Sequence, residues 1–67
     1  MIHINELGAG HVGRWVEYRS CAGEIEIGKI KSWTYKAVFV VYHCNGEWHR
    51  FSEFTAEATD PRDLTFR

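Results

Sequence analysis

The dipeptide Asn45-Gly46 lies between two runs rich in β-formers, Val38-Phe39-Val40-Val41-Tyr42-His43-Cys44 and Glu47-Trp48-His49-Arg50-Phe51. A two-residue type I′ turn needs positive φ at both central positions, and Asn-Gly adopts that most readily. The expected hairpin sets Cys44 opposite Glu47, His43 opposite Trp48, Tyr42 opposite His49 and Val40 opposite Phe51. One face then carries Val38, Val40, Tyr42 and Phe51, and is assigned to the core together with Val16 and Tyr18. The other carries Phe39, Val41, His43, Trp48 and Arg50.

A chain of 67 residues has room for one domain and one small core. Aromatic residues make up 15% of it, and large rings bury much area where the core cannot be wide. A deep catalytic cleft or a buried ligand cavity is hard to accommodate at this size. The net charge of −1 argues against a protein whose main role is to coat nucleic acid. Two cysteines, Cys21 and Cys44, fit neither a zinc spacing nor a secreted disulfide scaffold, so both are expected as reduced thiols in a cytoplasmic protein. No charged leader followed by an apolar run opens the chain, and no 18-residue apolar stretch suits a membrane span.

Residues 1–11 form a possible N-terminal arm, with Ile2, Ile4 and Leu7 as its large apolar side chains. Arg14 to Arg19 alternates as a strand, placing Val16 and Tyr18 inward and Trp15, Glu17 and Arg19 outward. Ser20-Cys21-Ala22-Gly23 breaks it. Glu24 to Ser32 reads as the next strand, but Ile25 and Ile27 differ in parity from Ile30. A bulge at Gly28 is expected to bring all three isoleucines to the core side and to coil the sheet. Towards the end, Thr59-Asp60-Pro61-Arg62-Asp63-Leu64 has the cap and the proline of a single helical turn, and Leu64-Thr65-Phe66 suits a closing strand.

The expected fold is therefore all-β, a small SH3-like partly open barrel of about five strands with a single 3-10 turn before the last strand. Val16-Glu17-Tyr18, Gly28-Lys29-Ile30-Lys31-Ser32, Val38-Phe39-Val40-Val41-Tyr42 and Thr55-Ala56-Glu57-Ala58-Thr59-Asp60-Pro61-Arg62-Asp63-Leu64 resemble small barrels encoded by bacteriophages and prophages. These are similar in architecture to KOW and Tudor domains. The resemblance spans residues 12–66, and its most specific part is the Thr-Ala-x-Ala-x-Asp-Pro-x-Asp-Leu ending. It implies a fold and a phage origin, and carries no activity or site residues.

Candidate sites follow from chemistry alone. His43 and Cys44 are strand neighbours pointing to opposite faces, and Cys44 with His49 makes only two ligands, so no metal or other cofactor is expected. Cys44 and His49 near a hairpin tip lack the orienting group and oxyanion hole that a thiol enzyme needs, so no catalysis is expected either. The outer face, Trp15, Phe39, Val41, Trp48 and Arg50, has the aromatic and arginine character of a protein-binding or homodimer surface. Its alternative is coverage by the N-terminal arm or by the loop after Glu53. A competing surface, Lys29, Lys31, Trp33, Tyr35 and Lys36, interleaves cations with rings as single-stranded nucleic-acid binders do.

Overall fold

The computed structural model describes residues 1–67. Five strands form one antiparallel sheet: β1 Trp15–Arg19, β2 Ile25–Trp33, β3 Val38–Val41, β4 Glu57–Thr59 and β5 Leu64–Phe66. Their spatial order is β4-β3-β2-β1-β5. The nine-residue β2 is the longest strand and curls between two partners, which makes the whole an all-β, partly open barrel.

The concave side is filled by Val16, Ile30, Val38, Val40, Tyr42 and Leu64, all buried, with Ile2 from the N-terminal arm closing the cluster. That arm is pinned by the Ile2 amide, which donates to the Pro61 carbonyl at 2.9 Å. Ile4 and Leu7 pack alongside. The arm therefore completes the main core and does not cover the outer face of the sheet.

The short connections obey local chemistry. Between β1 and β2, Gly23 takes φ +86° and the Ser20 hydroxyl accepts from the Glu24 amide at 3.1 Å. Before β5, the Asp60 carboxylate caps a 3-10 turn over Pro61–Asp63, accepting from the Arg62 amide at 2.9 Å. This is the turn that the Asp-Pro signal predicts.

Two sequence expectations are overturned. The bulge in β2 falls at Lys31, not at Gly28: Ile30 pairs with Val40 and Ser32 with Phe39, so Lys31 is the extra residue. Gly28 is instead buried and regular, and opposite Val16. A Cβ there would lie 2.5 Å from the Val41 carbonyl oxygen and 2.7 Å from a Val40 methyl, so the position has no room for a side chain. The bulge reconciles Ile30 with Trp33, which both pack inward, and leaves Ile25 and Ile27 on the outer face.

The hairpin across Asn45-Gly46 is the second correction. The turn forms, with φ +53° and +80° at its centre and the Glu47 amide donating to the Cys44 carbonyl at 2.8 Å. No returning strand follows it. Trp48–Glu53 is a kinked 3-10 segment, and β3 pairs with β4 instead, Val40 opposite Glu57 and Val38 opposite Thr59. The reason lies in spacing. Trp48, Phe51 and Phe54 recur every third residue, as do Glu47, Arg50 and Glu53. Side chains three apart eclipse in a 3-10 helix, so one edge collects rings and the other an ion-paired row. Arg50 bonds Glu53 at 2.6 Å and Glu47 at 3.4 Å.

Candidate functional site

Residues directly opposite in an antiparallel pair share a face. The β1–β2 register sets Trp15 beside Lys29, Glu17 beside Ile27 and Arg19 beside Ile25, while Thr65 of β5 lies across Glu17. On the outer side this places Trp15, Ile27 and Ile25 in a diagonal apolar strip, at 38%, 40% and 52% exposure. The 3-10 segment reaches only its Trp15 end, through Trp48. Trp15, Ile27 and Arg67 line a shallow groove of about 370 Å³.

At the groove's upper end Trp15 meets the half-buried Trp48, ring centroids 4.7 Å apart and planes at 59°. The Lys29 ammonium sits 4.8 Å from the Trp15 centroid and 5.4 Å from that of Phe51. Such placement couples the cation to the ring faces and keeps its charge beside the groove. Arg14 lies over Phe66 at 4.9 Å on the other side of the sheet, where Phe66 packs against the core. Trp15 is thus the hinge between an open strip and a covered one.

The covered part is the stretch of sheet under the 48–53 segment. Val41, opposite Lys29, is fully buried, and Cys44 nearly so. Phe51 packs against Gly13, and the Lys31 ammonium donates to the Phe54 carbonyl at 2.9 Å. Val41 is accordingly removed from the expected binding surface. Phe39 is half-buried, paired with Ser32 and Ala58, and Arg50 is exposed but committed to Glu47 and Glu53. Of the five expected interface residues, only Trp15 and Trp48 are brought together. Ile25 and Ile27 complete the surface in place of Phe39 and Val41.

The expected lysine-and-ring surface is divided. Lys29 belongs to the Trp15 groove, Lys31 to the covered strip, and Trp33 packs inward against the main core. Tyr35, 83% exposed, and Lys36 pair with each other in the β2–β3 connection. They do not form one face.

A second concavity opens at the far end of the barrel's inner side. It measures about 260 Å³ and is lined by Tyr18, Glu26, Tyr42, Glu57, Asp60 and Asp63. Tyr18 and Tyr42 meet edge to face at 6.1 Å, and the Tyr42 hydroxyl is bonded to that of Thr59 at 2.8 Å. Burial pushes the Tyr42 phenol above its ordinary pKa; Glu26, Glu57 and Tyr18 add to the rise, and the Thr59 bond opposes it. Asp60 is held at about 2 by the side-chain and backbone hydrogen bonds from Arg62. Comparison with known proteins finds no matching family model, curated protein or solved structure.

Cys44 and His49 do not face each other across paired strands, because residues 48–53 leave the sheet. Cys44 is buried and Cys21 is an exposed free thiol. No three His, Cys, Asp or Glu side chains are grouped so that they could hold a metal ion. No helix is long and apolar enough to cross a membrane.

Proposed function

We propose that the chain is a small protein-binding module whose working surface is the outer strip of Trp15, Ile25 and Ile27, edged by Trp48, Lys29 and Arg67. The observation that carries this reading is the bare apolar strip itself. A domain this small gains stability from every ring and branched side chain it buries, yet Ile25 and Ile27 stay exposed and Trp15 remains partly open beside Trp48. Tryptophan at the centre of an apolar patch, with cations at the rim, is the composition of an interface anchor. The resemblance to phage-encoded barrels supports an origin among such small accessory modules.

Single-stranded nucleic acid is the second reading, favoured by Lys29 lying over the Trp15 and Phe51 rings. It is weakened by the aliphatic Ile25 and Ile27, which offer no stacking plane, and by the division of the other lysines and rings. Selection of peptides from a random display library separates the two. Enrichment on the wild-type chain that is lost on Ile25→Ser/Ile27→Ser supports protein binding through this strip. Peptides retained by that variant would move the site elsewhere. Salt-sensitive binding of oligothymidine without peptide enrichment would favour nucleic acid.

A further inference from the structure

We infer that one occupant of the Trp15 strip is a second copy of this chain, docked head to tail so that the strip of one molecule covers the acidic tyrosine cleft of the next. This rests on reading the strip as a binding surface and names its partner. Four ion pairs satisfy Arg19, Arg62 and Arg50 with Glu17, Asp60, Glu47 and Glu53. Among the charges left without an ionic partner, those around the groove and those around the cleft differ in sign. Lys29 and Arg67 flank the Trp15 groove. Glu26, Glu57 and Asp63 line the cleft beside Tyr18 and Tyr42.

These two regions lie on opposite sides of β1 and β2. Tyr18 and Glu26 are partners on the inner side, whereas Trp15 and Lys29 are partners on the outer side. A chain with a net charge of only −1 therefore carries a positive apolar face and a negative aromatic one, back to back. Face-to-face dimerisation through the strip would bring together two faces whose unpaired charges, Lys29 and Arg67, share one sign, and that opposes docking. Strip against cleft sets them against carboxylates, with the Tyr18 ring placed to receive a guanidinium. Such a contact is heterologous, and it propagates unless its rotation closes a ring. It also weakens with salt, since its charges are exposed.

The test is the molar mass of the full chain by analytical ultracentrifugation in reducing buffer, from micromolar to millimolar concentration and at low and high salt. The expected result is mass growth beyond the dimer at low salt, suppressed by high salt. Glu57→Lys/Asp63→Lys breaks the cleft, and Ile25→Ser/Ile27→Ser breaks the strip; all four positions are exposed, and a native circular dichroism spectrum verifies each fold. Each variant alone should associate at least about tenfold more weakly. Mixed in equal amounts, they should form a heterodimer that grows no further, because each supplies one intact face. A wild-type chain that stays monomeric at millimolar concentration overturns the inference. So does a cleft variant that associates as the wild type does, or a mixture that remains monomeric. A monomeric chain that still selects peptides through Ile25 and Ile27 would refute self-association alone; loss of both refutes the binding surface as well.

Discussion

Along the outer side of β2, two halves of one strand meet opposite fates. Near its end, Lys29 is half-buried and Lys31 lies beneath the 48–53 segment with its ammonium tied to the Phe54 carbonyl. Near its start, Ile25 and Ile27 stand in water. The ordinary preference would cover the isoleucines and leave the lysines out. Lysine stems are apolar, however, and their heads can reach a carbonyl or a ring face at the rim. On a sheet this small, coverage is decided by where a returning connection lands. The Trp48–Phe51–Phe54 edge lands on the far half, and the near half stays open.

That contrast can be broken from several directions. The largest effect should come from the inner side of the same strand. Gly28→Ala drives a methyl into the Val41 carbonyl and a Val40 side chain, and should cost about 3 kcal/mol in urea denaturation. A smaller loss would mean that β2 and β3 separate easily. Next is the covered half of the outer side. Phe51→Ala strips the ring that packs on Gly13 beside Lys29, with an expected loss of about 2 kcal/mol and a change in Trp48 emission.

Tyr42→Phe should cost about 1 kcal/mol, because it removes the buried bond to Thr59 while keeping the ring. In the wild type the raised Tyr42 pKa stabilises the fold below the ordinary phenol pKa of 10.0, and that contribution is lost as pH rises through the folded value. Tyr42→Phe should therefore unfold less steeply in alkali, as an alkaline thermal series would show. At the acid end the sign reverses. Asp60, lowered from 3.8 to about 2, contributes above its ordinary value and loses that contribution as pH falls towards 2. Asp60→Asn should flatten this part of the acid unfolding curve. The smallest effect on stability is expected at Ile25→Ser/Ile27→Ser, within about 0.5 kcal/mol, because a bare strip contributes little to the monomer.

Much of the fold was legible in the sequence because its signals are local. The alternation around Val16 and Tyr18, the small residues of the Ser20–Gly23 turn, and the Asp60-Pro61 start of the last 3-10 turn each dictate their structure within a few residues. The Asn45-Gly46 turn was legible too, but its sequel was not. Trp48 to Phe51 has strand-forming composition, while the three-residue spacing that governs it becomes visible only when Phe54 and Glu53 are counted with it. The candidate site was half legible for the same reason. Trp15 was placed outward correctly, since β1 is regular. Ile25 and Ile27 were misplaced because one inserted residue changes the side of everything beyond it, and the sequence does not mark Lys31 over Gly28 as the insertion. What sits across from a glycine is a tertiary fact.

Ile25 and Ile27 are open to solvent in the single molecule, and binding is expected to cover them. Methyl NMR with a soluble paramagnetic probe measures this directly. In dilute protein the Ile25 and Ile27 methyls should be strongly broadened, while those of Ile2 and Ile30 remain sharp. At low salt and rising concentration the broadening of the Ile25 and Ile27 methyls should diminish together with that of the backbone amides of Glu57 and Asp63, followed in the amide spectrum of the same sample. If Ile25 and Ile27 are already shielded like Ile30 in dilute solution, the strip is core, and the binding surface assigned to it does not exist.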